Sequence, residues 1–290
     1  MRKFAVLTDS ACDLPQELAD KHHIDILNLK IALDGVGYTE RVDFTPEEFA
    51  EMLRHTSGMP TTSQVTQYEF FEQFERYGRE GVEEVLYISI NATGSATNAN
   101  ARAAAAQFHE EYPDSPMRIS VVDSHSYSVT YGLECCAASD MLAEGKPMDE
   151  VIAYLEDRFA RKELVITAYN LKVIRRSGRI SAAAAIAGDL LNIHPIITLI
   201  DGESHVVKKA RGDKQAVSAV VQHCKKHMIP GTPYYVGVTN TKYFDEYVQA
   251  AEACIGYPPA GRFHLGSAVC SNTGPECAAM LYESEKRERK

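Results

Sequence analysis

Ile88-Ser89-Ile90-Asn91-Ala92-Thr93-Gly94-Ser95-Ala96-Thr97-Asn98-Ala99-Asn100-Ala101-Arg102 is the stretch whose reading decides the fold. It continues the apolar run Val85-Leu86-Tyr87-Ile88 and leads into Ala103-Ala104-Ala105-Ala106, among the strongest helix-forming compositions. Small and hydroxyl-bearing residues, among them Thr93, Ser95 and Thr97, lie between. The pattern predicts a strand, a hydroxyl-rich turn and a helix. A helix start leaves its first N–H groups unpaired, and its dipole favours negative charge there. Two readings therefore stand at this point: a small anion site, or a Thr or Ser cap that serves only its own helix.

Outward from this stretch the first half alternates strand and helix. Phe4 to Leu7 reads as a strand that delivers Asp9 and Ser10 to its end, followed by a helix opened by Asp13-Leu14-Pro15. Ile24 to Leu33 reads as one strand, with Asp34-Gly35 as a turn. Thr45-Pro46-Glu47-Glu48 opens a helix with a Thr cap and an acidic first turn. Met59 to Thr66 reads as a second hydroxyl-rich loop, and Tyr68 to Tyr77 as a helix. Arg118 to Val122 is a strand ending in Asp123-Ser124; Leu133 to Leu142 and Met148 to Phe159 are helices. Such alternation predicts a parallel sheet with helices on both faces.

Past Arg161 the texture changes. Leu164 to Ala168 is a strand, Ile174 to Ser181 a basic turn and Ala182 to Leu191 a small-residue helix. His194 to Leu199 and His205 to Lys208 flank Asp201-Gly202 as a β-hairpin. This antiparallel pair sets a domain boundary near 160. There follow a helix over 213–227, a strand from Tyr234 to Val238, a helix over 242–254, a strand over 262–269 and a final helix. Ser271-Asn272-Thr273-Gly274-Pro275 is a third hydroxyl cluster, read as lying before that last helix, where Asn272 is placed to act as its cap.

Composition excludes several classes. The chain has 290 residues, 45% hydrophobic and 24% charged, with a formal net charge of −10. That charge argues against nucleic acid and against an anionic membrane surface. No apolar run has the length of a membrane span, and the N-terminus turns acidic too soon for a signal peptide. The seven cysteines form no C-x-x-C pair, which points to buried reduced thiols in a cytoplasmic protein rather than zinc or redox chemistry.

Enzyme signatures are equally sparse. There is no P-loop, no complete dinucleotide fingerprint and no G-x-S-x-G elbow. His223 and His227 are four apart on a helix but lack the glutamate of H-E-x-x-H, so they read as surface histidines at a helix end. Asp9-Ser10 and Asp123-Ser124 have no obvious histidine partner and read as turn and helix caps.

Taken together, the motifs resemble those of the DegV family of bacterial fatty-acid-binding proteins. Thr8-Asp9-Ser10 with Asp13-Leu14-Pro15 resembles the family opening, and Thr62-Ser63-Gln64 its T-S-Q loop. Ile88 through Ser95 resembles I-S-S-G-L-S-G-T, and Val122-Asp123-Ser124 resembles V-D-S. Ser177 through Ser181 resembles G-G-R-I-S, Asn192 through Ile196 resembles x-I-K-P-I, and Thr273-Gly274-Pro275 the tail of H-T-G-P-G. The matches run in order over about residues 3–282.

The resemblance implies an α/β protein with a two-domain DegV-like fold. Residues 1–160 would form a three-layer α/β/α domain on a parallel sheet and residues 161–290 a two-layer α/β domain on a mixed sheet. A long-chain fatty acid would lie between them, with no cofactor and no metal. It places the carboxylate on Thr62 and Thr93, with Ser63, Gly94, Ser95, Arg179, Asn272 and Thr273 around the head group. It further implies a non-catalytic, cytoplasmic lipid-binding subunit, not inserted in a membrane, that presents the fatty acid to a separate fatty acid kinase catalytic protein for acyl phosphate formation. An enzyme in its own right, either a small-molecule kinase or an acyl hydrolase using Asp9, Ser10, Ser124 or Thr93, is the alternative. A lipid-sensing regulatory module is the third reading. The apolar Ile186, Leu190 and Leu191 are candidates for tail contact, although plain core packing is the better reading of them. Lys172, Arg175 and Arg176 are expected to face outward, where they could dock a partner. Three positions depart from the motifs: Asn91 stands for a glycine, Asn272 for the histidine and Glu276 for the last glycine.

Overall fold

The computed structural model describes residues 3–184 and 192–287. In chain order these form β1 (Phe4–Asp9), α1 (Gln16–Lys21), β2 (Ile24–Leu27), β3 (Lys30–Leu33), β4 (Val36–Thr39), α2 (Pro46–His55), β5 (Thr61–Ser63) and α3 (Gln67–Glu80). Next come β6 (Glu84–Ser89), α4 (Thr97–Glu111), β7 (Arg118–Asp123), α5 (Val129–Ala143), α6 (Met148–Phe159), β8 (Lys162–Ala168), α7 (Leu171–Arg176) and α8 (Ser181–Ala184). The chain continues through β9 (Ile193–Ile200), β10 (Glu203–Arg211), α9 (Asp213–His227), β11 (Tyr235–Val238), α10 (Phe244–Ile255), β12 (Gly261–His264), α11 (Ser267–Thr273) and β13 (Cys277–Glu283). Two compact units result: residues up to Lys30 with Ser63–Phe159, and Ile31–Thr62 with the residues from Ala160 onward.

The first unit is built on a four-stranded sheet in the order β2-β1-β6-β7, with every neighbouring pair parallel. The connections run outward from the centre in opposite directions, β1 through α1 to β2 and β6 through α4 to β7, and parallel crossovers of this kind follow the right-handed rule. They therefore leave their helices on opposite faces. Strand order reverses between β1 and β6, and open α/β sheets bind ligands beyond the strand ends at such a point. Register aligns Thr8 with Ile88 and Ser89 with Asp123, so the β1, β6 and β7 ends share one edge. The middle of the sheet is apolar: Ala5, Val6, Leu7, Val85, Leu86 and Ile88 are all fully buried. The helices dock by ordinary caps, as at α3, where Thr66 and Glu69 form a capping box.

The second unit holds a six-stranded mixed sheet, β10-β9-β8-β13-β11-β12, antiparallel except where β11 meets β12. Helices α9 and α10 pack on it through Val220, Val221, Cys224, Tyr247 and Ala251 against Val165, Val236 and Met280. A second sheet, β4-β3-β5, is backed by α2 through Ile31, Leu33, Phe49 and Leu53. The expected Thr45 cap of α2 is present as a capping box with Glu48. The Asp201-Gly202 hairpin has both turn residues at positive φ, 48° and 80°, as a type I′ turn requires.

Five local expectations are corrected. The predicted final helix is β13: its Ala, Met and Leu favour helix, but the segment is the buried strand between β8 and β11, and burial on both faces overrides propensity. The predicted Ile24–Leu33 strand is two strands in different sheets, because the N–H of Leu29 bonds Ser10 Oγ at 2.9 Å where pairing with β1 ends. The Met59–Thr66 loop contains β5. The basic turn begins inside α7, whose Asn170 cap accepts from the Lys172 N–H. The 262–269 strand stops at His264, and α11 takes over. Of the Ala182–Leu191 helix only the residues to Ala184 are described; Ile186, Leu190 and Leu191 lie outside the described residues. No helix among the described residues is long and apolar enough to cross a membrane. All seven cysteines are unpaired.

Candidate functional site

The loops beyond β1 and β6 carry the polar groups. Asp9 ends β1 and is fully buried. It accepts hydrogen bonds from Tyr131 Oη at 2.7 Å, Tyr87 Oη at 2.8 Å and the Ile90 N–H at 2.9 Å. Burial raises its carboxyl above the ordinary aspartate value, and the Ile90, Tyr131 and Tyr87 bonds offset part of that rise. Asp9 thereby ties β1 to the start of the β6–α4 loop. Ser10 Oγ is occupied by the Leu29 N–H, and Ser124 Oγ by the backbone of Ser126.

Asp123 ends β7 and organises the same edge. Its Oδ1 accepts from the Ala92 N–H at 3.1 Å and from the His125 N–H at 2.9 Å. Its Oδ2 lies 3.3 Å from His125 Nδ1, a histidine partner that the sequence reading did not find. The reason is backbone geometry: His125 has φ of 52°, which folds its ring back on the preceding strand end.

The β6–α4 loop itself is held from one buried side chain. Asn91 has no exposed surface. Its Nδ2 donates to Thr93 Oγ1 at 2.9 Å and to Tyr127 Oη at 2.7 Å, while its Oδ1 accepts from the Thr93 N–H at 3.3 Å. Thr93 is exposed, and Gly94 and Ser95 are half-buried. The two readings of the hydroxyls divide by residue. Ser95 Oγ accepts from the Thr97 N–H at 3.3 Å and contacts Thr97 Oγ1 at 2.8 Å, so Ser95 serves its own helix. The cap position of α4 is Ala96, and Thr93 stands outside the helix, engaged by Asn91 instead. The helix start is pinned by Asn98, whose Nδ2 donates to Ser89 Oγ at 2.8 Å and whose Oδ1 accepts from Arg102.

The remaining predicted residues lie on other elements. Thr62, half-buried, and Ser63, exposed, are on β5. Arg179 is exposed and donates to the Ser177 carbonyl at 3.2 Å. Asn272 and Thr273 lie inside α11 and donate to the carbonyls of Ala268 at 2.8 Å and Val269 at 3.0 Å. The expectation that Asn272 caps a final helix is corrected: β13 follows, and Gly274 at φ of 92° ends α11. Lys172 and Arg176 are exposed as expected, whereas Arg175 is half-buried.

Besides His125, sequence reasoning missed two residues. Tyr127 has no motif around it that marks a loop-supporting role. Glu276, noted only as a departure, accepts from Tyr243 Oη at 2.6 Å, Lys242 Nζ at 2.7 Å and Asn240 Nδ2 at 3.0 Å, with Arg54 Nε at 3.5 Å. Burial alone would raise its carboxyl, but the bonds from Lys242 and Tyr243 hold it below the ordinary range. It lines a cavity of about 230 Å³ with Arg54, Asn170 and Lys172. Among the described residues no group of three or more His, Cys, Asp or Glu is placed to hold a metal.

The model of a family described as "Uncharacterised protein, DegV family" matches residues 3–285. A DegV domain-containing protein of Clostridium perfringens is 30% identical over 294 residues, spanning 99% of this chain and 100% of that one. A DegV family protein from Thermus thermophilus, solved in work on its fatty acid binding, is 28% identical, with a TM-score of 0.83 over 98% of this chain and 100% of that one. A stearic acid-binding protein from Eubacterium ventriosum, 24% identical, shares the fold with a TM-score of 0.87 over 98% and 99% of the two chains.

Proposed function

As this chain belongs to the DegV family, we propose that it binds a long-chain fatty acid, using the Thr93 loop for the carboxylate, and presents it to a separate kinase protein for acyl phosphate formation. The observation that carries the reading is the Thr93 hydroxyl: exposed, outside helix α4, and held by a fully buried asparagine at the reversal of strand order. The 28% identical Thermus relative, with its fatty acid binding, supports the ligand class. In this reading Thr62, matched to the family T-S-Q loop, and Arg179, matched to its G-R-I-S arginine, take the carboxylate and head-group roles that the resemblance implies.

The energetics suit such a ligand. Each hydrogen bond to a carboxylate contributes about 1.5–3 kcal/mol, and each buried tail methylene about 0.8 kcal/mol. A few hydroxyls thus orient the head while the tail supplies most of the affinity. The net charge of −10 does not oppose this, because screening leaves only nearby charges to act on the head group.

Organic extraction of the purified protein followed by mass spectrometry should recover a long-chain fatty acid. Thr93→Val and Thr62→Val should each weaken palmitate binding roughly tenfold to a hundredfold, with thermal unfolding little changed. Lipid-free protein that takes up no added palmitate would refute the reading; unchanged affinity in both variants would refute the assigned ligands.

A further inference from the structure

We infer that Asn91 is a positioning residue that sets the Thr93 hydroxyl as a hydrogen-bond donor and so makes the site prefer a carboxylate over an uncharged head group. The inference rests on the fatty-acid reading above and concerns a position where the resembling family segment carries glycine.

The amide orientation follows from its neighbours. The Thr93 N–H can only donate, so the Asn91 atom facing it at 3.3 Å is the oxygen. The nitrogen then faces both Thr93 Oγ1, at 2.9 Å, and Tyr127 Oη, at 2.7 Å, and spends one proton on each. Oγ1 accepts there, so its own proton must point elsewhere. Its acceptor within the loop is Asn91 Oδ1 at 3.3 Å. That is longer than the usual range of about 2.5–3.0 Å for O–H···O, and the same oxygen already receives the Thr93 N–H. An incoming carboxylate oxygen, which only accepts, would take this proton without breaking a strong bond. An alcohol oxygen can accept the same proton, but as a neutral acceptor it makes a bond only about half as strong as the charge-assisted one to a carboxylate.

Asn91 cannot turn without losing its other contacts. It is fully buried, its backbone N–H donates to the Ser126 carbonyl at 2.9 Å, and its carbonyl accepts from the Gly94 N–H at 3.1 Å. Tyr127 anchors the amide from the far side and also packs against Gly94. The polarity of Thr93 is therefore built in before ligand arrives, which is preorganisation in the ordinary sense.

The test is a double-mutant cycle read with two probes, palmitate and hexadecan-1-ol. Asn91→Ala should weaken palmitate about tenfold and hexadecan-1-ol less than threefold, lowering the preference between them. In a Thr93→Val background the same substitution should change palmitate binding less than twofold, because Asn91 acts through Thr93. Asn91→Gly, measured in parallel, should follow Asn91→Ala, and thermal unfolding identifies either variant if it fails to fold. Tyr127→Phe, which keeps Asn91 and removes its anchor, should shift the preference in the same direction by a smaller factor. An unchanged palmitate-to-alcohol preference in the folded variants, or equal losses with and without Thr93, overturns the inference while leaving the fatty-acid reading intact. Wild-type protein that binds no palmitate overturns both.

Discussion

The phenol oxygen of Tyr127 occupies the space where a side chain on Gly94 would begin: a Cβ there would lie 2.4 Å from Oη and 3.0–3.1 Å from two ring carbons. Gly94 has no positive φ, so the requirement is for space and not for backbone freedom. Gly94→Ala is expected to destabilise the protein by about 1–3 kcal/mol and to weaken palmitate binding, since the displaced ring also supports Asn91. Adding Tyr127→Phe removes the closest clash and should recover part of the lost stability. Denaturant unfolding of the two single variants and the double variant checks this; strictly additive losses would show that the contact does not couple the residues.

Asp9 provides a pH signature. Its carboxyl is raised above 3.8 in the folded protein, chiefly by burial. The folded state therefore keeps the proton to higher pH than the unfolded state. Stability contributed at this site is present below 3.8 and declines as pH rises toward the raised value. Asp9→Asn removes the titration while its amide oxygen can still accept from the Ile90 N–H and Tyr87 Oη, which share Oδ2, and its amide N–H can donate to Tyr131 Oη. The stability of Asp9→Asn relative to wild type should increase as pH is raised from about 4 to 7. Urea unfolding across that range measures it, and a pH-independent difference would contradict the assignment.

His223 has the opposite sign. Burial, and secondarily the charge of His227, lower its pKa from 6.5 to about 4. The two rings stack at 4.4 Å along α9. The unfolded chain thus binds a proton that the folded chain refuses, and stability is lost as pH falls from 6.5 toward 4. His223→Gln should flatten this decline by roughly 1–2 kcal/mol, the ring being half-exposed and the penalty partly screened. Parallel wild-type and variant curves below pH 6.5 would show that another group carries the acid sensitivity.

The exposed basic side chains of α7 offer a test of kinase coupling. Lys172 and Arg176 are exposed, whereas Arg175 is half-buried. Lys172→Glu with Arg176→Glu should leave palmitate affinity within about twofold and reduce phosphorylation of the bound fatty acid by an added kinase protein about tenfold or more. Equal loss of binding and phosphorylation would instead place these residues in lipid binding.

What could be read from the residues alone was local. The Thr45–Glu48 box, the Asp201-Gly202 turn and helix α9 over Asp213–His227 each depend on groups a few positions apart, so neighbouring residues suffice to specify them. The β6–turn–α4 stretch was legible for the same reason, whereas the membership of Ile31–Thr62 in the second unit was not. Cys277–Glu283 was not: its helix-forming composition gives way to a strand because β8 and β11 bury both its faces, and those partners are remote in sequence. Nor could sequence tell which hydroxyl serves its helix and which stands free of it. Thr93 and Ser95 are two residues apart and chemically alike. What separates them is Asn91, locked in place by Tyr127, a residue 36 positions away that only the parallel pairing of β6 with β7 brings alongside. Short-range hydrogen bonds can be read along a chain, but burial and long-range contacts exist only once the sheet has formed.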